Sequence, residues 1–350
     1  MIADLRLQHF RSYDDQLFEL GSGVNIVVGP NASGKTNLLE AILVLARGNS
    51  YRVTDNELVQ FDADWARLDA NLISGVSRTV KFMPQQKPAK TFELAGKAYQ
   101  RLTLQHSLPV VLFEPNHLRL LTGSPESRRS YLDDILEQTQ PQYGAMLRHY
   151  RRALAQRNAL LKTGRSKDQF FVWNIRLSEL GGHIVAARTG LIQTIRQTVE
   201  RLYRDISRST TGIEISYDTK LNLTNYESQL LHNLEAGLEK DMIRGFTSVG
   251  PHREDLQVLF NGHPASMAAS RGEARTLVLA LKIIELQLLE QARGATPLLL
   301  LDDVFSELDG ARRRALTEHL TRYQTFITTT DADVVIQHFT ESCHIIPLGG

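Results

Sequence analysis

The 350-residue sequence contains one cysteine, no long apolar run and almost no net charge. The lone Cys343 excludes an internal disulfide and a metal site built from several cysteines. No apolar stretch follows a basic start, so we expect no signal peptide. The most apolar helical stretch, 277–289, contains Lys282 and Glu285 and is too short and polar to span a bilayer. These absences favour an ordinary globular protein, and we expect it to be cytoplasmic and away from membranes.

The sequence also lacks internal repeats, glycine-serine linkers and low-complexity tracts, although it is long enough for about two domains. Alternating apolar residues indicate strands within 2–28 and 66–113, and strand patterns return after residue 212. Apolar residues three and four apart indicate helices over 128–161 and 177–206, with a reversal near Gly164. We therefore predict an α/β domain formed by both ends of the chain and interrupted by a helical arm, with segments 1–115, 116–245 and 246–350.

The segment from Gly29 to Thr36 matches the phosphate-binding pattern G-x-x-x-x-G-K-[ST]. A short apolar strand precedes it and a helical apolar pattern follows it, which makes a chance turn much less favoured than a P-loop. Such a loop presents backbone N–H groups and a helix N-terminus to an anion. Lys35 is expected to reach the β- and γ-phosphates, and the Thr36 hydroxyl is expected to bind Mg²⁺. The predicted loop comprises Gly29, Pro30, Asn31, Ala32, Ser33, Gly34, Lys35 and Thr36.

A second pair of candidate catalytic residues, Asp302 and Asp303, follows four consecutive leucines. An acid at the end of a buried strand is how P-loop ATPases hold Mg²⁺, and the next position commonly orients the attacking water. Two acids could also mark a strand end that meets solvent. The 267 positions between Lys35 and Asp302 favour an ATPase interrupted by an insertion over a compact kinase or GTPase.

Two shorter motifs flank these acids. The segment 269–273 resembles the L-S-G-G-Q signature of ABC-type ATPases, and 306–309 resembles their D-loop. Ser270 could alternatively be an ordinary helix N-cap. The order of P-loop, arm, signature, paired acids and D-loop favours the ABC reading. In that reading Ser270 and Gly272 of one subunit contact ATP held by the P-loop of another.

The arm carries a strong excess of positive charge. Residues 126–208 contain fifteen Lys and Arg against eight Asp and Glu, a local charge of +7. A solvated helix face is the common fate of a charge run, but charge of one sign favours a surface that follows nucleic-acid phosphates. No stacking-aromatic pattern suggests base readout, so we expect binding by structure rather than sequence. The candidate DNA-binding residues are Arg148, Arg151, Arg152, Arg157, Lys162 and Arg165.

The chain resembles the RecF family of bacterial recombination mediators, which are ABC/SMC-like ATPases, along nearly its whole length. The resemblance implies a P-loop head with an inserted helical arm, ATP and Mg²⁺ as cofactors, and a homodimer that forms with ATP. It also places Arg11 and Ser12 at the nucleotide. The motifs that carry it are Phe10–Tyr13, Gly34–Ile42, Pro115–Asp133 and Gly250–Asp255.

By this resemblance the protein would bind single-strand/double-strand junctions of gapped DNA and act with RecR and RecO in loading RecA. Asn116 departs from the usual acidic residue after its proline, and no residue is assigned to the Q-loop. Thr330 stands where most ABC ATPases have a histidine, and Asp303 replaces a glutamate, so we expect slow hydrolysis. The alternatives are a generic SMC-like DNA ATPase, the nucleotide-binding subunit of a transporter, and a metabolic P-loop kinase.

Overall fold

The strands of the protein fall in three groups along the chain. The computed structural model describes residues 1–163, 167–320, 322–337 and 343–349. Within these ranges the strands are β1 (Ile2–Phe10), β2 (Tyr13–Glu19), β3 (Val24–Val28), β4 (Ala66–Leu72), β5 (Ser77–Phe82), β6 (Lys90–Leu94), β7 (Lys97–Tyr99), β8 (Val110–Phe113), β9 (Ile213–Asp218), β10 (Asp255–Phe260), β11 (His263–Pro264), β12 (Leu298–Leu301), β13 (Thr325–Thr329) and β14 (His344–Pro347).

The α-helices of the same ranges are α1 (Lys35–Arg47), α2 (Pro125–Thr139), α3 (Tyr143–Thr163), α4 (Phe170–Ser207), α5 (Tyr226–Ala236), α6 (Leu238–Arg244), α7 (Ala265–Ala268), α8 (Arg271–Arg293), α9 (Val304–Glu307), α10 (Gly310–Leu320) and α11 (Ala332–Ile336). None of these helices is both long and apolar enough to cross a membrane.

The region expected to be one helix over 128–161 is two helices, which corrects the prediction. Pro141 stands between α2 and α3. A proline disfavours helical backbone at the residue before it, and Gln140 is extended, with φ −114° and ψ 119°. The reversal expected at Gly164 lies outside the described residues.

The chain divides into two compact units. The first comprises residues 1–118 and 285–350, and the second comprises residues 119–284. The sequence prediction placed the boundaries near 115 and 245. The second boundary falls later because β9, β10 and β11 form a small antiparallel sheet of their own within the second unit.

The first unit consists of two sheets with α1 between them. The parallel sheet has the order β14-β3-β13-β12-β8, and the antiparallel sheet has the order β2-β1-β4-β5-β6-β7. Helix α1 contacts strands of both sheets, and its side chains from Leu38 to Ala46 are all buried. Each fully buried leucine or isoleucine stabilises the fold by about 1.5–3 kcal/mol relative to exposure. A helix that is apolar on every side must lie inside a domain, which fixes the loop at its N-terminus.

The register of the parallel sheet gathers three strand ends at one edge. Val28 of β3 pairs with Thr329 of β13, and Leu301 of β12 pairs with Ile327. The segments that follow these strands therefore begin side by side. Ligands of open α/β sheets bind outside the carboxyl ends of the strands, so this edge is where a site is expected.

The second unit is mostly helical. Helices α3 and α4 pack against each other, and α4 also packs against α5 and β9. The apolar face that the sequence predicted for α4 is buried from Leu177 to Ile206. This unit contains the segment predicted as the helical arm, together with the small sheet, α7 and the first part of α8. The predicted signature at Ser270 and Gly272 therefore lies in the second unit, although the prediction assigned it to the C-terminal part of the head.

Candidate nucleotide-binding site

The loop of residues 29–36 joins β3 to α1, and both of its glycines are required by its shape. Gly34 has φ +97°, and a Cβ there would lie 2.9 Å from the Tyr13 hydroxyl oxygen. That hydroxyl donates to the Gly34 carbonyl over 3.0 Å, which fixes the loop against the β1–β2 hairpin. A Cβ on Gly29 would collide with the carbonyl oxygen of Leu348. Side chains at either position would deform the loop.

The same loop holds polar groups that fit a phosphate chain. The Lys35 side chain is 5% exposed, and its ammonium donates to the carbonyls of Gly29 and Pro30, each over 2.8 Å. The Ser33 hydroxyl is buried and has no hydrogen-bond partner among the described residues. No side chain caps the N-terminus of α1, so its first N–H groups are left for a ligand. Phosphate oxygens would supply hydrogen-bond acceptors for the Ser33 hydroxyl and for these N–H groups.

The structure brings Thr36 and Asp302 together across 266 positions of sequence. The Thr36 hydroxyl donates to Asp302 Oδ1 over 3.0 Å, and the Thr328 hydroxyl donates to the same oxygen over 2.9 Å. Asp302 directly follows β12 and is buried. A hydroxyl and a carboxylate are hard oxygen ligands of the kind that Mg²⁺ prefers, so this pair fits the predicted metal site.

Asp303 has an unusual backbone and a perturbed acidity. It adopts left-handed φ of 53°, and its N–H donates to the Thr328 hydroxyl over 2.9 Å. Burial raises the pKa of the Asp303 carboxyl, and the neighbouring Asp302 raises it further, while Lys35 opposes both. A carboxyl of raised pKa beside phosphate-binding groups is suited to holding and activating a water molecule.

Arg11 and Ser12 lie in the turn between β1 and β2, beside the loop. The Arg11 guanidinium makes two hydrogen bonds to the buried Glu40 carboxylate, over 2.8 and 3.1 Å. The Ser12 hydroxyl accepts from the Asn37 side-chain amide over 3.0 Å. Arg11, Ser12 and Asn37 line a cleft of about 800 Å³. The sequence prediction missed Glu40 and Asn37, although both lie on α1 within five residues of Lys35.

Ser270 directly precedes α8, and its contacts are those of a helix cap. The Ser270 N–H donates to the Glu273 carboxylate over 2.8 Å, and the Glu273 N–H donates back to the Ser270 hydroxyl over 3.2 Å. This is a capping box, so the N-cap interpretation describes the local structure. Ser270 and Arg271 are exposed, and Gly272 is half-buried. The helix start is therefore open to a second molecule.

The segment after Asp303 forms the short helix α9 and the bend that follows it. The Ser306 hydroxyl donates to the Asp303 carbonyl over 2.7 Å, and the Asp309 carboxylate accepts from the Arg312 N–H over 3.0 Å. Leu308 is buried between them. These contacts join the predicted D-loop to the acidic pair.

Family comparisons agree with this geometry. The chain matches the family model described as the RecF/RecN/SMC N-terminal domain over residues 1–346. It is 38% identical to the DNA replication and repair protein RecF of Streptococcus pyogenes serotype M5 (strain Manfredo), over 98% of this chain and 95% of that protein. The RecF of serotype M49 (strain NZ131) is also 38% identical, over 96% of this chain and 94% of that protein.

The chain belongs to the RecF family. A solved structure of the recombination mediator protein RecF-ATPrS in the RecFOR pathway has a TM-score of 0.89 and 29% identity, over 99% of this chain and 97% of that chain. The corresponding RecF-ATP structure has a TM-score of 0.85 and 30% identity, over 99% and 95%. An SMC head bound to a winged-helix domain of ScpA has a TM-score of 0.54 at 15% identity, a likeness of fold alone. The predicted fold class, an ABC-type P-loop ATPase with a helical arm, is confirmed.

Thr330 stands where the resemblance to ABC ATPases leads to the expectation of a histidine. It follows β13 directly and is exposed, and β13 pairs with β3, which leads into Gly29. Thr330 therefore places a hydroxyl at this edge of the sheet, where the resemblance to ABC ATPases predicts the imidazole of a histidine.

The predicted DNA-binding residues have different environments. Arg148, Arg151, Arg152 and Lys162 are exposed on α3, and Arg165 lies outside the described residues. Arg157 corrects the prediction because it is 0% exposed. Its guanidinium donates to Asp241, Asn174 and Thr247, each over 2.8 Å. A buried and fully paired arginine stabilises the unit and is not available to phosphates.

Two motifs of the RecF resemblance meet in the second unit, which the sequence did not predict. Arg128 makes a bidentate ion pair with Asp255, over 2.9 and 2.6 Å. Asp133 makes another with Arg188, over 2.9 and 3.0 Å, and Arg188 also donates to the Pro251 carbonyl over 2.8 Å. Pattern reasoning identifies each motif but not the pairing, because the partners are more than fifty residues apart.

Proposed function

We propose that this protein is an ATP-dependent DNA-binding recombination mediator. The observation that carries the proposal is the contact between Thr36 and Asp302, which joins the P-loop to the acid that follows β12. Membership of the RecF family, whose solved relatives include recombination mediators with ATP, supports it. Membership of this family also favours a DNA ATPase over the nucleotide-binding subunit of a transporter or a metabolic kinase.

ATP would lie on the loop of residues 29–36. Lys35, the buried Ser33 hydroxyl and the N–H groups at the start of α1 would hold the phosphates. Thr36 and Asp302 would hold Mg²⁺, which neutralises phosphate charge when bound. Arg11 and Ser12 would contact the nucleotide from the β1–β2 turn, where they line the neighbouring cleft.

Hydrolysis would be slow and would serve as a switch that DNA stimulates. Asp303 would orient the attacking water and accept its proton. It has one methylene less than the usual glutamate, and Thr330 cannot supply an imidazole. Both features weaken catalysis without weakening nucleotide binding.

Two subunits would close on ATP. The exposed Ser270 and the half-buried Gly272 start a long helix, and a helix start favours an anion such as the γ-phosphate held by another subunit. ATP would then join two heads into a homodimer that clamps DNA, and hydrolysis would release it.

The DNA target would be the single-strand/double-strand junction at gaps, where the protein would act in the cytoplasm with RecR and RecO to load RecA. The RecFOR pathway named for the solved relatives supports this assignment. The exposed arginines of α3 supply the positive surface. A generic SMC-like DNA ATPase is the second candidate, favoured by the fold likeness to an SMC head.

Sedimentation velocity tests the proposal directly. Wild type should be monomeric alone, dimeric with ATP and Mg²⁺, and heavier again with a gapped duplex. Ser270→Arg should bind ATP as a monomer, because a bulky side chain obstructs closure, whereas Ser74→Arg, the same substitution at an exposed turn between β4 and β5, serves as a control. Junction preference over uninterrupted duplex separates the mediator from a generic DNA ATPase. A wild-type protein that stays monomeric with ATP and ignores DNA would refute the proposal.

A further inference from the structure

Arg128 and Arg129 are adjacent on α2 but differ in their pairing. Arg128 is fully engaged by the Asp255 carboxylate and by the Gly123 carbonyl. Within the part of the chain that the structure describes, Arg129 makes a single hydrogen bond, from one terminal nitrogen to the Glu254 carbonyl over 2.9 Å. Among the described residues it has no acidic partner within ion-pair distance. Since a guanidinium has five N–H donors, most of those on Arg129 are left for a ligand.

Arg129 lines a cavity of about 290 Å³ in the second unit, together with Ser130, Arg151 and Arg188. Asp133 is the buried acid of this lining. Its carboxylate is paired with the Arg188 guanidinium and also accepts a hydrogen bond from the Tyr143 hydroxyl over 2.6 Å. Glu126 is exposed at the rim. Among the described residues, neither Arg129 nor Arg151 has an acidic group within ion-pair distance, so the cavity presents these two arginines against one exposed carboxylate.

A neutral histidine forms part of the wall. His252 Nε2 lies 3.1 Å from the Thr247 carbonyl, which only accepts, so this nitrogen carries the proton. Nδ1 then accepts from the Tyr150 hydroxyl over 2.8 Å. Burial is the main cause that lowers the pKa of His252 to about 4; nearby arginines act in the same direction, and the hydrogen bond to the Thr247 carbonyl opposes them. Burial also lowers the pKa of Arg129, and the Arg188 charge adds to the effect, while the charges of Asp255 and Glu126 oppose it. An anion bound in the cavity would reduce the electrostatic repulsion between the guanidinium groups of Arg129 and Arg188.

We propose that this cavity binds a phosphate group of DNA through Arg129 and Arg151. The inference rests on the DNA-binding function proposed above and adds a residue, Arg129, to its surface. A guanidinium matches phosphate oxygens in a bidentate arrangement, and the Ser130 hydroxyl adds a donor at the rim.

The charge of α3 favours a nucleic acid over an acidic protein segment. Helix α3 contains no Asp or Glu in its 21 residues. Arg151 and Arg152 follow Arg148 by three and four positions, so the three side chains lie on one exposed side of α3. Arg151 also lines the cavity, which connects the cavity to this face. A polyanion with evenly spaced phosphates can use such a face as well as the cavity, whereas a single acidic side chain would use only the cavity.

The test is DNA binding by the full-length protein with ATP, measured by fluorescence anisotropy on a gapped duplex over a series of salt concentrations. Arg129→Ala should bind about tenfold more weakly. Its plot of log affinity against log salt should be shallower by about 0.9, the value of one phosphate contact. Arg204→Ala, which removes an exposed arginine paired with Glu200 on α4, is the matched control and should behave as wild type.

Further variants and probes identify the contact. Arg129→Lys keeps the charge and should keep the salt slope while losing part of the affinity. If Arg129→Ala does not fold, Arg129→Gln, which fills the same space without charge, should show the reduced slope. A loss seen only on gaps with a 5′-phosphate would identify a terminal phosphate, and a loss also seen on uninterrupted duplex would identify the backbone.

Wild-type affinity and slope in a folded Arg129→Ala or Arg129→Gln would overturn the inference. An acidic protein segment as the true occupant of the cavity would give this result. The proposed function would survive it, because wild type would still bind the gapped duplex. Failure of wild type itself to bind DNA would instead refute the proposed function.

Discussion

The loop at the head of α1 and the ion-pair core of the second unit both place charged groups in buried positions, but they treat them differently. In the core, Arg157 and Arg188 each bind a carboxylate and further oxygen acceptors. At the loop, Lys35 has only carbonyl partners and the Ser33 hydroxyl has none. A buried polar group without a partner costs free energy, which a ligand can recover. The difference separates a structural network from a binding site.

The largest effect is expected where the network is broken. Arg157→Ala should lower the free energy of unfolding by about 3–5 kcal/mol, because it leaves the Asp241 carboxylate buried and unpaired. Chemical denaturation measures this change. Arg152→Ala, five residues earlier on α3 and exposed, is the control and should change stability by no more than about 0.5 kcal/mol. Equal midpoints for the two variants would show that burial does not distinguish these arginines.

At the loop the same kind of truncation should remove function and spare the fold. Lys35→Ala should weaken ATP binding about hundredfold, because the β- and γ-phosphates lose their cation. Its melting temperature without nucleotide should stay near that of wild type. Lys35→Arg should retain more binding than hydrolysis, since charge remains and geometry changes. Near-normal ATP affinity of Lys35→Ala in equilibrium dialysis would reject the loop as the phosphate site.

Replacing Asp303 tests whether its carboxyl serves hydrolysis although its burial lowers the stability of the fold. Asp303→Asn should slow hydrolysis about tenfold or more and prolong the ATP-bound dimer. In wild type, hydrolysis should fall on acidification at a higher pH than an ordinary aspartate would give, because the pKa of Asp303 is raised. Steady-state turnover against pH measures both, and equal turnover in the two proteins would remove Asp303 from the mechanism.

The same pKa shift predicts a change in stability. A carboxyl whose pKa is raised by folding binds its proton more tightly in the folded state, so folding loses stability as pH rises through the pKa of the unfolded chain towards that of the folded protein. Without nucleotide, Asp303→Asn should therefore melt slightly higher than wild type at neutral pH. A lower melting temperature would contradict this interpretation of the burial of Asp303.

The smallest effect per residue is expected on the exposed face of α3. Replacing Arg148, Arg151 and Arg152 with alanine should weaken DNA binding and reduce the salt slope by about 0.9 for each phosphate that the protein no longer neutralises. ATP binding and stability should not change, because these residues belong to neither buried cluster. Unchanged DNA affinity and salt slope would place the DNA surface elsewhere in the molecule.

Local patterns were enough to predict much of the fold. A strand, a glycine-rich loop and an apolar helix are each encoded within a few residues, so β3, the loop and α1 were predicted with their order and type. The four leucines before Asp302 were recognised as a buried strand for the same reason. Pro141 is also a local signal, because a proline ends a helix, and it separates α2 from α3 where the apolar spacing alone continues.

Contacts between distant residues were decided only by the tertiary structure. Five basic residues of α3 are alike in a charge count, yet burial turns Arg157 into part of the core and leaves Arg151 at a surface. Arg128 and Arg129 are identical neighbours, yet among the described residues only Arg128 forms an ion pair, with Asp255 from far along the chain. The sequence determined which residues carry charge and which segments are helical. Packing determined which charges are neutralised, because the free energy of a charge depends on what surrounds it.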